Sequence, residues 1–102
     1  MIRVNGIPAR HATTVWQLTR GLMFTKKSNL LMEFPTMQRI SLHNWFVFYP
    51  LHLAFFNDDM IVREVGYMKP FGLYTSKDNY KYCLELGTTT LNVGDKIVWS
   101  ND

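Results

Sequence analysis

The sequence predicts a mainly β protein: a small closed or nearly closed antiparallel β-barrel or sandwich of about eight short strands, with one short helix near the N-terminus. Three observations predict it. Side chains alternate with a period of two over most of the chain from Leu42 onward. Turn signals recur at short intervals, at Asn5-Gly6, Asn57-Asp58-Asp59, Pro70-Phe71-Gly72 and Gly94-Asp95. Aromatic residues make up 15% of the chain, and such side chains suit a pleated, half-buried surface.

The elements follow in order. Ile2-Arg3-Val4 and Ile7 to Ala12 flank Asn5-Gly6, whose residues tolerate the positive φ of a tight hairpin turn. Pro8 lacks an N–H, so its strand is expected at an edge or only partly paired. Val15 to Arg20 is expected to be a helix, capped by Thr14 with Gln17 three residues on; Val15, Leu18 and Leu22 make an apolar stripe, and Gly21 ends it. Leu30 to Phe34 reads as a strand stopped by Pro35, and Leu42 to Tyr49 as a central strand apolar on both faces. Leu51–Phe56 and Met60–Tyr67 read as an antiparallel hairpin across the Asn57-Asp58-Asp59 turn. Met68 to Asp78 reads as a loop, Tyr80 to Leu86 as a half-exposed strand, and Lys96 to Trp99 as the last strand.

A chain of 102 residues suits one domain spanning residues 1–102. The net charge of +3 permits an anionic partner, but the 11 basic residues are scattered, whereas nucleic-acid binders gather theirs on one face. Nucleic acid is therefore not the favoured partner, and a weak nucleic-acid-binding module, using Lys69, Lys77 and neighbouring aromatics, stands as an alternative. Cys83 is the single cysteine, so no intrachain disulfide is possible, and with no signal peptide at Met1-Ile2-Arg3-Val4 a cytoplasmic protein is expected. The longest apolar run, Trp45 to Phe56, contains Pro50 and His52 and falls short of the roughly 20 residues that a spanning helix needs, so no membrane partner is expected.

Several runs carry a resemblance. Arg20-Gly21-Leu22-Met23 resembles the signature of the uncharacterised family known as domain of unknown function 192. His43 to Leu51, with its aromatics and proline, is similar to archaeal members; Met68-Lys69-Pro70, Tyr82 with Leu84-Glu85-Leu86, and Gly94-Asp95 with Ile97 follow in the family's order. The resemblance covers nearly the whole chain and implies a compact β fold of barrel or sandwich type with no established activity. Two departures stand out. Gln17-Leu18 replaces the Glu-Arg pair usual before the signature, and His52 stands where an Asp is usual.

No catalytic constellation is evident in the residues. His11, His43 and His52 show no metal-binding spacing, and no metal or cofactor is expected. His43 and His52 could meet across strands near Asp58, which makes these three the candidates for a small hydrolase or transferase; the structural alternative has His43 anchoring a hydrogen bond in the sheet and His52 partly exposed. Cys83 lacks the basic surroundings of a nucleophile and reads as a strand residue. Arg20-Gly21 lies at a helix C-terminus, where the dipole repels anions, so Gly21 serves the chain reversal and Arg20 pairs with a carboxylate or carbonyl. The candidate binding residues are Arg20 and, in the aromatic and basic stretch after Tyr67, Met68, Lys69, Phe71, Tyr74 and Lys77. The expectation is a non-catalytic binding or interaction domain whose partner is a protein or a small ligand.

Overall fold

A computed structural model of the protein describes residues 2–13, 28–43 and 47–101. Seven strands are present among them: β1 (Ile2–Val4), β2 (Ile7–Ala12), β3 (Asn29–His43), β4 (Leu51–Phe56), β5 (Glu64–Met68), β6 (Leu73–Leu86) and β7 (Trp99–Asn101). They form one sheet in the order β5-β4-β6-β3-β2-β1-β7. The helix expected over Val15–Arg20, with Thr14, Arg20 and Gly21, lies outside the described residues.

The N-terminal hairpin forms as its turn chemistry requires. Asn5 and Gly6 take φ of 51° and 78°, both in the left-handed region that a two-residue turn between twisted strands demands. The Asn5 side chain then reaches across the molecule, donating to the Lys96 carbonyl at 2.9 Å and accepting from the Val98 amide at 2.8 Å. This holds β7 in register beside β1.

The antiparallel barrel of eight strands is corrected to a seven-stranded mixed sheet that does not close. β2 and β3 run parallel, because the chain between them is long enough for a crossover rather than a hairpin. The edge strands β5 and β7 do not pair with each other. The segments just before them meet through a single bridge, Ile61 to Lys96, with the Val62 amide donating to the Asp95 carbonyl at 2.9 Å.

Strand boundaries also differ from expectation: the second strand of the expected Leu51–Phe56/Met60–Tyr67 hairpin starts at Glu64 rather than Met60, and the last strand is Trp99–Asn101 rather than Lys96–Trp99. Pro35 does not stop β3, because the β3–β6 ladder shifts register between Glu33 and Gln38 and the proline falls where no ladder N–H is needed. Among the described residues of the expected central strand Leu42–Tyr49, Leu42 and His43 are strand, at the end of β3, and Val47 to Tyr49, with Pro50 after them, is irregular; residues 44–46 are not described. β6 is an interior strand instead, paired to β3 on one side and β4 on the other. It starts at Leu73, so the expected Met68–Asp78 loop is the end of β5, a four-residue turn and the start of a long strand.

Both faces of the sheet are covered. Leu30, Met32, Leu53, Phe55 and Cys83 pack on one face, and Leu31, Ala54, Phe56, Tyr82 and Leu84 on the other. Tyr82 to Leu86 is therefore wholly buried rather than half-exposed, and Glu85 is buried with it. Removal from water pushes the Glu85 carboxyl up to about 7 and raises the Cys83 thiol well above its ordinary value.

Candidate functional site

The turn joining β5 to β6 is built on a buried carboxylate. Glu64, 8% exposed, accepts the Tyr74 hydroxyl at 2.6 Å and the Lys77 amide at 3.0 Å. Burial first, and then this carboxylate, push the Tyr74 and Tyr80 phenols up to about 12. The network clamps the start of β6 against β5 and so fixes the turn between them.

That turn is Lys69-Pro70-Phe71-Gly72, closed by the Gly72 amide donating to the Lys69 carbonyl at 2.8 Å. Proline at the second position suits such a turn, but the third position needs positive φ and usually carries glycine. Here it carries Phe71, at φ 62°. An aromatic residue in this conformation holds local strain, which persists where the surroundings or a function require it. Phe71 is 51% exposed, and its ring meets that of Phe48, 65% exposed, edge-on at 5.5 Å. Leu73, 73% exposed, follows at the start of β6 beside His43. The three make an apolar tip on the surface.

A second feature is an open cleft of about 480 Å³. Its wall includes His52 and Tyr67, a cross-strand pair whose rings are 5.1 Å apart and tilted by 55°. Leu53, Val65 and Gly66 continue the wall, and the segment Thr90-Leu91-Asn92 forms the opposite side. Asp95 fixes that segment by accepting the Asn92 amide at 2.8 Å.

The sequence-predicted residues are dispersed. His43 registers with Leu73 and His52 with Leu86, at opposite ends of β6. Asp58 lies elsewhere, in the turn after β4, where it accepts the Tyr82 hydroxyl at 3.1 Å and sits 3.7 Å from Lys81. The fold thus brings no His43–His52–Asp58 relay together. Of the binding candidates, Lys69 and Phe71 are in the tip turn and exposed. Met68 is buried, Tyr74 points to Glu64, and the exposed Lys77 uses its backbone amide on Glu64. Arg20 is outside the described residues. Sequence reasoning missed Phe48 and Leu73, placed by period-two alternation in strand and loop, and it missed the pairing of His52 with Tyr67. Only the register of β4 on β5 shows the latter. No group of three or more His, Cys, Asp or Glu suited to a metal occurs among the described residues. Nor is any described helix long and apolar enough to cross a membrane.

The fold has solved relatives. A protein from Sinorhizobium meliloti 1021, described as "a putative transcription regulator", superposes with a TM-score of 0.80 at 19% identity over 96% of this chain and 91% of its own. A protein of unknown function from Novosphingobium aromaticivorans DSM 12444 superposes with a TM-score of 0.77 at 17% identity, over 91% of this chain and 75% of its own. At such identities the likeness is one of fold. No curated protein matches the sequence. The model of the family DUF192, described as Uncharacterized ACR, matches residues 2–99, and with the sheet and its motifs in place the chain belongs to that family.

Proposed function

We propose that this chain is a non-catalytic interaction domain, an archaeal-type cytoplasmic member of its family, whose contact surface is the tip formed by Phe48, Phe71 and Leu73. The observation that carries this reading is Phe71 itself, an exposed aromatic at φ 62° in a turn position that glycine occupies without strain. Large apolar side chains clustered on a surface mark contact sites, and a rigid turn presents them with little loss of entropy on binding. The net charge of +3, with Lys69 in the same turn, favours a partner segment that is apolar and flanked by acids. The single Cys83, buried in the sheet, suits a reducing compartment, and the His43–Leu51 run supports the archaeal type.

The experiment is site-specific photo-crosslinking in cells. A photoreactive residue replaces Phe71 or, as an exposed apolar control outside the tip, Val98. The expected result is one defined polypeptide adduct at the tip and none at the control, lost when Leu73→Ser is added. Identical adduct patterns at both positions, or none at the tip, would overturn the reading.

A further inference from the structure

The cleft between β4–β5 and the Thr90–Asn92 segment shares no residue with the tip and points to a separate activity. Its volume of about 480 Å³ lies in the range of small-molecule sites, roughly 300–1,000 Å³. Its lining is chemically particular. Apart from the buried Leu53, it contains the rings of His52 and Tyr67, the apolar side chains of Val65 and Leu91, the hydroxyls of Tyr67 and Thr90 and a primary amide, and none of the described residues lining it is Asp, Glu, Lys or Arg. Nothing in the lining supplies a counter-charge to attract or orient an ionic ligand, which favours a neutral occupant. Its polar groups are also uncommitted among the described residues. The Asp95 carboxylate takes the Asn92 backbone amide, which leaves the Asn92 side chain for a ligand, and no described residue hydrogen-bonds the side chains of Thr90, His52 or Tyr67.

The shape separates flat from puckered ligands. The His52 and Tyr67 rings meet at 55°, so they form a V rather than a parallel slot. A flat heteroaromatic ring could stack on one wall only. A puckered ring with C–H groups on one face and hydroxyls at its rim can touch both. Because the cleft is open, hydroxyls that the protein does not meet stay in water at no desolvation cost. We propose that this cleft binds an uncharged saccharide, one ring of which packs into the His52–Tyr67 wall while its hydroxyls meet Asn92 and Thr90.

The test is a titration of the full chain followed by amide NMR shifts, with maltose, lactose and N-acetylglucosamine as probes and adenosine and glucose 6-phosphate as comparators. At least one neutral sugar should give saturable shifts at residues 52, 65–67 and 90–92, with a Kd on the order of 1 mM, as suits a ligand of this size in an open site. Tyr67→Ala and Asn92→Ala should each weaken binding roughly tenfold without altering the rest of the spectrum. Leu73→Ser, in the tip, should leave the titration unchanged. The proposal is overturned if no sugar moves those residues at roughly fifty times that concentration. It is equally overturned if only adenosine or the phosphate does, or if both cleft variants bind as the parent does.

Discussion

Tyr74 donates its hydroxyl to the Glu64 carboxylate at 2.6 Å, and Gly66 is the residue that leaves room for its ring. A Cβ at Gly66 would lie 2.6 Å from two Tyr74 ring carbons. The ring has little freedom to retreat, being held by Glu64 at one end and stacked on Phe55 at 5.6 Å. Gly66→Ala should therefore destabilise the fold by about 1–3 kcal/mol, the usual range for overpacking, measured by denaturant unfolding. Adding Tyr74→Leu should recover part of that loss.

The same carboxylate makes a spectroscopic prediction. Glu64 raises the pKa of Tyr74 and Tyr80, after burial, because a nearby negative charge opposes phenolate formation. Burial first, and then its bond to Asp58, push the Tyr82 phenol up to about 12 as well. In an absorbance titration Glu64→Gln should lower the Tyr74 and Tyr80 transitions and leave Tyr82 in place. Equal movement of all three would show general loosening instead.

Asn29 joins three parts of the chain. Its amide nitrogen donates to the Pro8 carbonyl at 3.0 Å, and its oxygen accepts the Gly87 amide at 3.0 Å and the Thr88 amide at 3.3 Å. The side chain is 5% exposed, so truncation strands several groups away from water. Asn29→Ala should cost about 2–4 kcal/mol by denaturant unfolding. Gly87→Ala should be at least as damaging, because its Cβ would lie 2.5 Å from the Ser28 carbonyl oxygen, and backbone yields less readily than a side chain.

Glu85 predicts how stability depends on pH. Burial disfavours the ion and pushes its carboxyl up from the ordinary 4.5 to about 7 in the folded state. The folded state then holds more protons than the unfolded state between those values, so stability falls as pH rises through that window. It is flat below 4.5 and fully reduced above 7. Glu85→Gln should remove this slope and stabilise the protein at pH above 7, by at most about 3 kcal/mol from the size of the shift. A parent protein whose stability rises from pH 5 to 7 would contradict the assignment.

Phe71 separates stability from binding. Phe71→Gly relieves the positive φ and should hold stability level or raise it by about 1 kcal/mol, net of the lost contact with Phe48. If the tip is the contact surface, this variant folds at least as well and loses its partner. Thermal unfolding and crosslinking on the same sample distinguish the two effects.

Much of the fold was legible in local chemistry. Asn5-Gly6 announces its hairpin because few other residue pairs accept left-handed conformation twice in succession. The β4–β5 hairpin follows from alternation on either side of Asn57-Asp58-Asp59. Family membership was legible from the order of short motifs. The candidate site was much less so: Lys69 and Phe71 were marked, yet Phe48 and Leu73 were not, and His52 was marked for a relay with His43 and Asp58 rather than for its pairing with Tyr67. Period two tells which side chains share a face of a strand, and nothing about which strand lies beside it. The placement of β6 between β3 and β4 is non-local, and it is what buries Glu85 and Cys83 and divides His43 from His52. The parallel return of β3 on β2, the open edges at β5 and β7, and the exposure of the tip arise from pairings between residues distant along the chain. Their energies exist only once the sheet has assembled.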